Sequence, residues 1–539
     1  MQLSELIVRE ARERGLNHYF GIPGGGLPLD IMDWGRRLGL DFVTVAHESS
    51  AAIMAAYYGL LRETAGLALA VKGVGAGNLA GGAVNAYFER VPVVCCCERS
   101  PLSTGHLELV CQCSHGKLFD SVVKSQHTVS LDAARENLRD AFFQAADGRP
   151  GPVLLDVPTD LGTASVPGAA LAPLEAPSPA LPVESQLALL RKRLTESQRP
   201  VVLAGQDVVR AGACGPLRSL VEALGAAVLV EMDAHGVFPE SHPLWAGTFV
   251  GHQIPHTVEG ELAPQADLAL LVGCDSLVSD KKWESAAPVF ELAQREEYES
   301  LAASPRLRID GDLKISLSRL LPPAAQAGFP AAQIAKTREQ VLRHFRRPGE
   351  ARLAAQDIIE ITRTHLPDDG LLISETGIFI LMLHHLWPVD RPGAHLCTSG
   401  GRTMGLMLPA ILGAKLARPE QPMVGIGADG STLMRLGELE VFARTGVRVP
   451  LVILNDHALG TMKSRQQSRG MEDYGLDLHA IDLAAVARAS GLAGVVVRTP
   501  EEYETELKKA LVADTTTLID ARVDPKAYQD SFAATIGIV

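Results

Sequence analysis

The sequence predicts an α/β protein of three doubly wound domains, each a parallel sheet covered by helices, and three observations carry that prediction. Short apolar runs at Leu67–Val71, Val91–Cys97, Val201–Ala204, Leu268–Val272, Met423–Ile426 and Leu451–Leu454 alternate with longer amphipathic stretches such as Glu48–Arg62 and Leu436–Thr445. Continuous apolar strands joined by helical crossovers are the pattern of parallel sheets buried on both faces. At 539 residues the chain is also too long for one core, and about 180 residues per domain is the natural division. Finally, the stretch 162–182, GTASVPGAALAPLEAPSPALP, has neither helical nor strand periodicity and reads as an interdomain linker after the strand-like Pro152–Val157.

A second break falls around Leu321–Pro330 or Arg347–Glu350, where Pro and Gly interrupt helical patterning, giving blocks at 1–162, 183–345 and 352–539. The first and third blocks echo each other. In each a strand enters a glycine turn (Gly73–Gly77; Gly427–Gly430), a helical stretch follows, and then a similar phrase: Arg90-Val91-Pro92-Val93-Val94 in one, Arg448-Val449-Pro450-Leu451-Val452 in the other.

Composition narrows the function classes. With 47% hydrophobic and 21% charged residues the chain is a packed globular protein, not a disordered one. A net charge of -13 with no basic tract disfavours nucleic acid and anionic membranes as partners. No apolar run is long enough to cross a membrane. Residues 1–15 read as an amphipathic helix and not as a signal peptide. Eight cysteines, including Cys95, Cys96 and Cys97 in one apolar run, show no disulfide or metal spacing and predict buried thiols in a reducing cytoplasm.

The chemistry concentrates in the third block. Gly425-Ile-Gly-Ala-Asp429-Gly430-Ser431 is followed, after a helix and a strand, by Leu454-Asn455-Asp456-His457-Ala458-Leu459-Gly460. A glycine turn at the carboxyl end of a parallel strand presents backbone N–H groups to an anion such as phosphate. Carboxylates beside it would repel phosphate unless a cation lies between, and Asp429 and Asp456 are hard oxygen ligands of the kind Mg²⁺ takes together with phosphate oxygens. Taken singly, Asp429 reads as a helix cap and Asp456 as an Asx-turn. Their pairing with the glycine turn makes a metal-bridged diphosphate site the better reading.

Two further segments bear on this site. His47-Glu48-Ser-Ser-Ala-Ala opens an Ala-rich helix with an acidic residue, which alone would be macrodipole compensation. Thr398-Ser-Gly-Gly-Arg402-Thr-Met404-Gly405 sets a methionine among small residues, where core filling is the ordinary role.

Together these segments resemble the thiamine diphosphate enzymes similar to acetolactate synthase, benzoylformate decarboxylase and pyruvate decarboxylase, and the resemblance covers most of the chain. It implies pyrimidine-binding, middle and diphosphate-binding domains in that order. It implies Asp429, Asp456 and the Ala458 carbonyl as Mg²⁺ ligands, with Gly377, Gly430, Ser431, Leu459 and Gly460 around the cofactor. Ala428 departs from the family's Gly-Asp-Gly, and Asn455-Asp456 from its closing Asn-Asn pair, which leaves Asn455 and Asp456 as rival ligands. By the same resemblance Met404 bends the cofactor, the Arg402 carbonyl accepts from its 4′-amino group, and Glu48 donates a proton to N1′ of its aminopyrimidine. Arg402 itself is unusual there, and its side chain is either a binder of substrate carboxylate or a surface pair; Lys463 and Arg465 hint at the same anionic substrate. Gln112 falls near a family active-site glutamine, and His115 and His457 are candidate proton carriers. A homodimer or homotetramer with active sites at the subunit interface is also implied, as is a small-molecule 2-oxo acid or related carbonyl substrate.

The expected activity is an acetolactate synthase-like lyase or carboligase, with a simple 2-oxo acid decarboxylase as the alternative. Two other classes compete. A nicotinamide dehydrogenase would use Gly73-Val-Gly75-Ala-Gly77 with Glu98 as its ribose acid, but the spacing is GxGxG and the carboxylate pair goes unexplained. A non-catalytic homologue would have lost Glu48. His384-His385 and His252…His256 lack zinc spacing and read as satisfied structural histidines. No sharp flavin signal marks the middle block, and FAD there stays open.

Overall fold

The computed structural model describes residues 1–525 apart from 102, 105, 106, 108, 252, 254, 323, 327, 348, 350 and 351. Its described strands form three six-stranded sheets. In the first, β1 (His18–Gly21), β2 (Asp41–Thr44), β3 (Gly66–Ala70), β4 (Val93–Arg99), β5 (Ser125–Thr128) and β6 (Pro152–Pro158) lie in the order β2-β1-β3-β4-β6-β5. The second holds β7 (Pro200–Ala204), β8 (Ala227–Glu231), β9 (Trp245–Phe249), β10 (Leu268–Val272), β11 (Val289–Ala293) and β12 (Leu307–Asp310), ordered β12-β11-β10-β7-β8-β9. The third has β13 (Leu371–Ser374), β14 (His395–Leu396), β15 (Met423–Ala428), β16 (Pro450–Asn455), β17 (Ala493–Val497) and β18 (Thr517–Arg522), ordered β14-β13-β15-β16-β18-β17.

Every pairing between these strands is parallel. Their central members are buried along their length, which is why they read as unbroken apolar runs. Numbered within each sheet, the first and third orders are both 2-1-3-4-6-5, whereas the second is the doubly wound dinucleotide-fold order 3-2-1-4-5-6. The echoed Arg-Val-Pro phrases lead into the same strand of the two like sheets, β4 and β16.

Helices Glu48–Leu61 and Met407–Ala417 each follow the second strand of their sheet, and both are buried almost all round. They pack on each other. Gly413 makes this possible: a Cβ there would meet the Met54 carbonyl oxygen at 2.2 Å. Residues 166–182 form no helix or strand and are mostly exposed. Cys95, Cys96 and Cys97 are buried in β4, but the expectation of buried thiols fails at Cys111 and Cys113, which are exposed in the segment between β4 and β5. No described helix is long and apolar enough to cross a membrane.

Candidate functional site

A cleft of about 660 Å³ opens at the carboxyl ends of β13, β15 and β16. It collects Gly377, Arg402, Met404, Asp429, Gly430, Ser431, Asp456, Ala458, Leu459 and Gly460, with Met232, Val250 and Asp280 facing them from the middle of the chain. Glu48, Gln112 and His115 are not among its lining residues.

The local chain explains how the carboxylates come to face the cleft. β15 ends on Ala428, and Asp429 opens the short helix Asp429–Leu433. Asp429 Oδ1 accepts from the Gly430 N–H (2.7 Å) and Oδ2 from the His457 N–H (2.8 Å). His457 adopts left-handed backbone (φ 60°), which turns the chain just after Asp456. Asp456 Oδ1 accepts from the Ala458 N–H at 3.1 Å, the Asx-turn its residue type predicts. Burial first, and the Asp456 carboxylate second, push the Asp429 carboxyl up to about 7. Both ends of the Asn455 amide are engaged: Nδ2 donates to Asp520 Oδ1 (2.8 Å) on the neighbouring strand, and Oδ1 accepts from the same His457 N–H (3.3 Å) that reaches Asp429.

Glu375, just past the end of β13, organises the cleft floor without a sequence signal of its own. Its buried carboxylate accepts from the Met407 N–H (3.0 Å) and the Ala428 N–H (3.2 Å), tying the end of β13 to the helix and strand that carry Met404 and Asp429. Burial pushes it up to about 7. Glu89, at the end of helix Val74–Phe88, had no sequence signal either. It accepts from the Thr398 hydroxyl (2.6 Å), the Ser399 N–H (2.8 Å) and the Gly401 N–H (3.0 Å), fixing the loop that presents Arg402 and Met404.

The remaining candidates have local partners. Glu48 is buried and accepts from the Asn78 amide at 3.0 Å. His115 Nδ1 lies 2.8 Å from Asp156 Oδ1, and its Nε2 accepts from the Gly73 N–H (3.1 Å), so both ring nitrogens are engaged in holding the Gly73 turn. Gln112 donates to the Thr104 carbonyl (2.9 Å). The Arg522 guanidinium donates to His457 Nε2 (2.5 Å). Arg402, in left-handed backbone at φ 43°, pairs with Asp280 Oδ2 at 2.9 Å, and Lys463 pairs with Asp473 and Asp477. Arg465 lines the cleft. Glu98 accepts from the Leu27 N–H (3.3 Å) and the Thr159 hydroxyl (2.5 Å), an internal role that a ribose-binding acid would not have. His252 lies outside the described residues.

Comparison with known proteins decides the family. The family model described as thiamine pyrophosphate enzyme, N-terminal TPP binding domain, matches residues 1–120, the central domain matches 187–320, and the C-terminal TPP binding domain matches 375–521. The chain belongs to the thiamine pyrophosphate enzyme family. Among its relatives in that family is the acetolactate synthase isozyme 3 large subunit of Escherichia coli (strain K12), 28% identical over 534 residues that span 94% of this chain and 92% of that one. The acetolactate synthase large subunit of Lactococcus lactis subsp. lactis (strain IL1403) is 26% identical over 528 residues, 94% of this chain and 90% of that one. A solved structure, the Rhodococcus jostii RHA1 thiamine diphosphate-dependent 4-hydroxybenzoylformate decarboxylase, superposes with a TM-score of 0.84 at 24% identity over 97% of this chain and 99% of that chain. That likeness establishes a shared fold.

Proposed function

We propose that this chain uses thiamine diphosphate and Mg²⁺ to break or make a carbon–carbon bond next to the carbonyl of a 2-oxo acid or related donor, as an acetolactate synthase-like lyase or carboligase. The observation that carries the reading is the Asp429–Asp456 pair facing the cleft beside a glycine turn. Among the described residues no Lys or Arg pairs with Asp429, and burial together with the Asp456 carboxylate pushes its carboxyl up. Gly430 keeps the space clear, since a Cβ there would meet Leu459 Cδ2 at 2.8 Å. These features fit a Mg²⁺–diphosphate group.

Asp429, Asp456 and the Ala458 carbonyl would hold the metal, with Asp456 preferred over Asn455 because Asp456 lines the cleft while the Asn455 amide donates to Asp520 and accepts from the His457 N–H. Gly377, Gly430, Ser431, Leu459 and Gly460 line the space for the diphosphate, and Met404 and the Arg402 carbonyl the space for the rings. When bound, the cofactor supplies an acidic carbon that adds to the donor carbonyl and a ring that accepts the electron pair of the broken bond. Glu48 would give the proton that activates it. Because Glu48 does not line the cleft of its own chain, a second copy supplies it in this reading, making the protein a homodimer or homotetramer. The test is incubation of the protein with thiamine diphosphate, Mg²⁺ and a panel of 2-oxo acids, with and without an aldehyde acceptor. CO₂ with a 2-hydroxyketone supports a carboligase; CO₂ with free aldehyde moves the reading to a simple decarboxylase. Bound cofactor with no turnover of any donor refutes both.

A further inference from the structure

Behind the cleft, where the loop after β8 meets helix Ile380–Leu386 and β14, three buried histidines converge: His235, His384 and His395. One potential ligand nitrogen from each lies within 4.8 Å of the other two. His384 is not the self-satisfied histidine that the sequence suggests. His235 Nδ1 is 2.8 Å from Glu240 Oε1, a carboxylate that also accepts from the Gly236 N–H (3.2 Å) and, through Oε2, from the Val389 N–H (3.1 Å). A carboxylate only accepts, so neutral His235 carries its hydrogen on Nδ1 and offers a lone pair at Nε2. His384 Nδ1, 2.9 Å away in a ring parallel to within 2°, is then the donor. His384 Nε2 is left as a lone pair with no partner. His395 Nε2 sits 2.8 Å from Ser374 Oγ, and its Nδ1 likewise has no partner. Among the described residues His395 Nδ1 is thus stranded beside the His235–His384 pair, an arrangement that folded proteins avoid unless a further group completes it.

We propose that His235, His384 and His395 form a nitrogen-only site for a transition-metal ion of the Zn²⁺ class, distinct from the carboxylate pair at Asp429 and Asp456. Neutral imidazole is the ligand form for Zn²⁺, Co²⁺ and Ni²⁺, whereas Mg²⁺ takes oxygen, so the two sites select different ions. Burial holds His384 and His395 well below the usual histidine range and so keeps both in that form. Glu240 behind His235 is the outer carboxylate that fixes a ligand's tautomer, and Ser374 serves His395 in the same way. Two nitrogens on one tetrahedral Zn²⁺ stand about 3.3 Å apart, so the His235–His384 pair opens by a few tenths of an ångström and the His384 hydrogen moves to Nε2, leaving the Nδ1 lone pair for the metal. Three histidines leave a fourth position, and His384 is also a cleft residue.

The test needs no turnover. Tag-free full-length protein is stripped with chelator, saturated with thiamine diphosphate and Mg²⁺, incubated with Zn²⁺, Co²⁺ or Ni²⁺, desalted and assayed for metal. One retained ion per chain is expected, with the visible Co²⁺ bands of nitrogen ligation. His395→Gln should lose the ion, Glu240→Gln should weaken it by about 10- to 100-fold, and Asp429→Asn should leave it in place. Retention by the wild type of under one-tenth of an equivalent of all three ions overturns the proposal, as does equal retention by folded His395→Gln. If that variant does not fold, the wild-type stoichiometry and Co²⁺ spectrum decide.

Discussion

The first and third sheets have the same strand order and pack through equivalent helices, yet their strand ends differ in how charge is settled. At the first sheet the ends are closed by the chain itself. Glu98 takes the Leu27 N–H and the Thr159 hydroxyl, while Asp156 takes Arg99 and His115, whose other nitrogen clamps the Gly73 turn. At the third sheet Asp429 and Glu375 receive only N–H and hydroxyl groups, and both are pushed up to about 7. Topology alone therefore does not set how strand-end charge is settled. The difference lies in single carboxylates: Asp156 of the first sheet and Asp520 of the third find a guanidinium within the chain, and Asp429 finds only N–H groups.

Glu48 gives the strongest way to break this contrast, since it is the one group of the first sheet assigned to chemistry. Glu48→Gln should bind thiamine diphosphate with Mg²⁺ nearly as the wild type does, measured by calorimetry, while turnover falls about 10²- to 10⁴-fold. Full turnover in that variant would remove the first sheet from the reaction. At the third sheet Asp429→Asn should fail one step earlier, with cofactor–metal affinity down by more than the roughly 10- to 100-fold that an outer partner is worth.

The pH dependence of that affinity follows from the same carboxylate. Its folded pKa lies above the ordinary value of 3.8, so between that value and about 7 the native apo-protein keeps a proton that the unfolded chain has released. Apo stability conferred by this group is accordingly present at low pH and lost as pH rises through about 7. Metal must displace the proton, so Mg²⁺–cofactor affinity should rise about tenfold per pH unit up to that point and then flatten. The slope should vanish in Asp429→Asn.

A smaller contrast separates adjacent residues. Asp456→Asn keeps a ligand oxygen and should cost metal affinity modestly with an unchanged melting temperature. Asn455→Ala removes one hydrogen bond to buried Asp520, which keeps Arg522 and the Leu483 N–H, and should cost about 0.5–1.5 kcal/mol of stability in denaturant titration. The reverse pattern would make Asn455 the ligand.

The strands were legible because parallel strands buried on both faces leave continuous apolar runs, and the 162–182 linker because it lacks any period. Asp429 was legible because it lies within the glycine turn, and Asp456 because the resemblance to the thiamine diphosphate enzymes pairs the two segments. Glu375 and Glu89 were not, since their roles depend on N–H groups 32 and 310 residues away. The histidine cluster was hidden for the same reason: His235 meets His384 across 149 residues, so no local metal spacing exists to be read. Contacts across crossovers showed themselves only where a motif spans them, as for Asp429 and Asp456, and not at Glu89 or the histidines.

Arg402 is the smallest test and bears on where substrate charge is read. The sequence left two roles for its side chain, a carboxylate binder or a surface pair. The structure gives it Asp280 at 2.9 Å, with both side chains close to half exposed. Such a pair is worth about 0.2–1 kcal/mol, so Arg402→Ala should shift stability within that range and alter KM little. Its backbone at φ 43° disfavours any side chain, so Arg402→Gly should recover about 1 kcal/mol relative to the alanine variant. A tenfold rise in KM for an acidic donor in Arg402→Ala, at unchanged melting temperature, would mean that substrate displaces Asp280. The middle of the chain would then act in recognition, and the division of labour between the first and third sheets would need a third member.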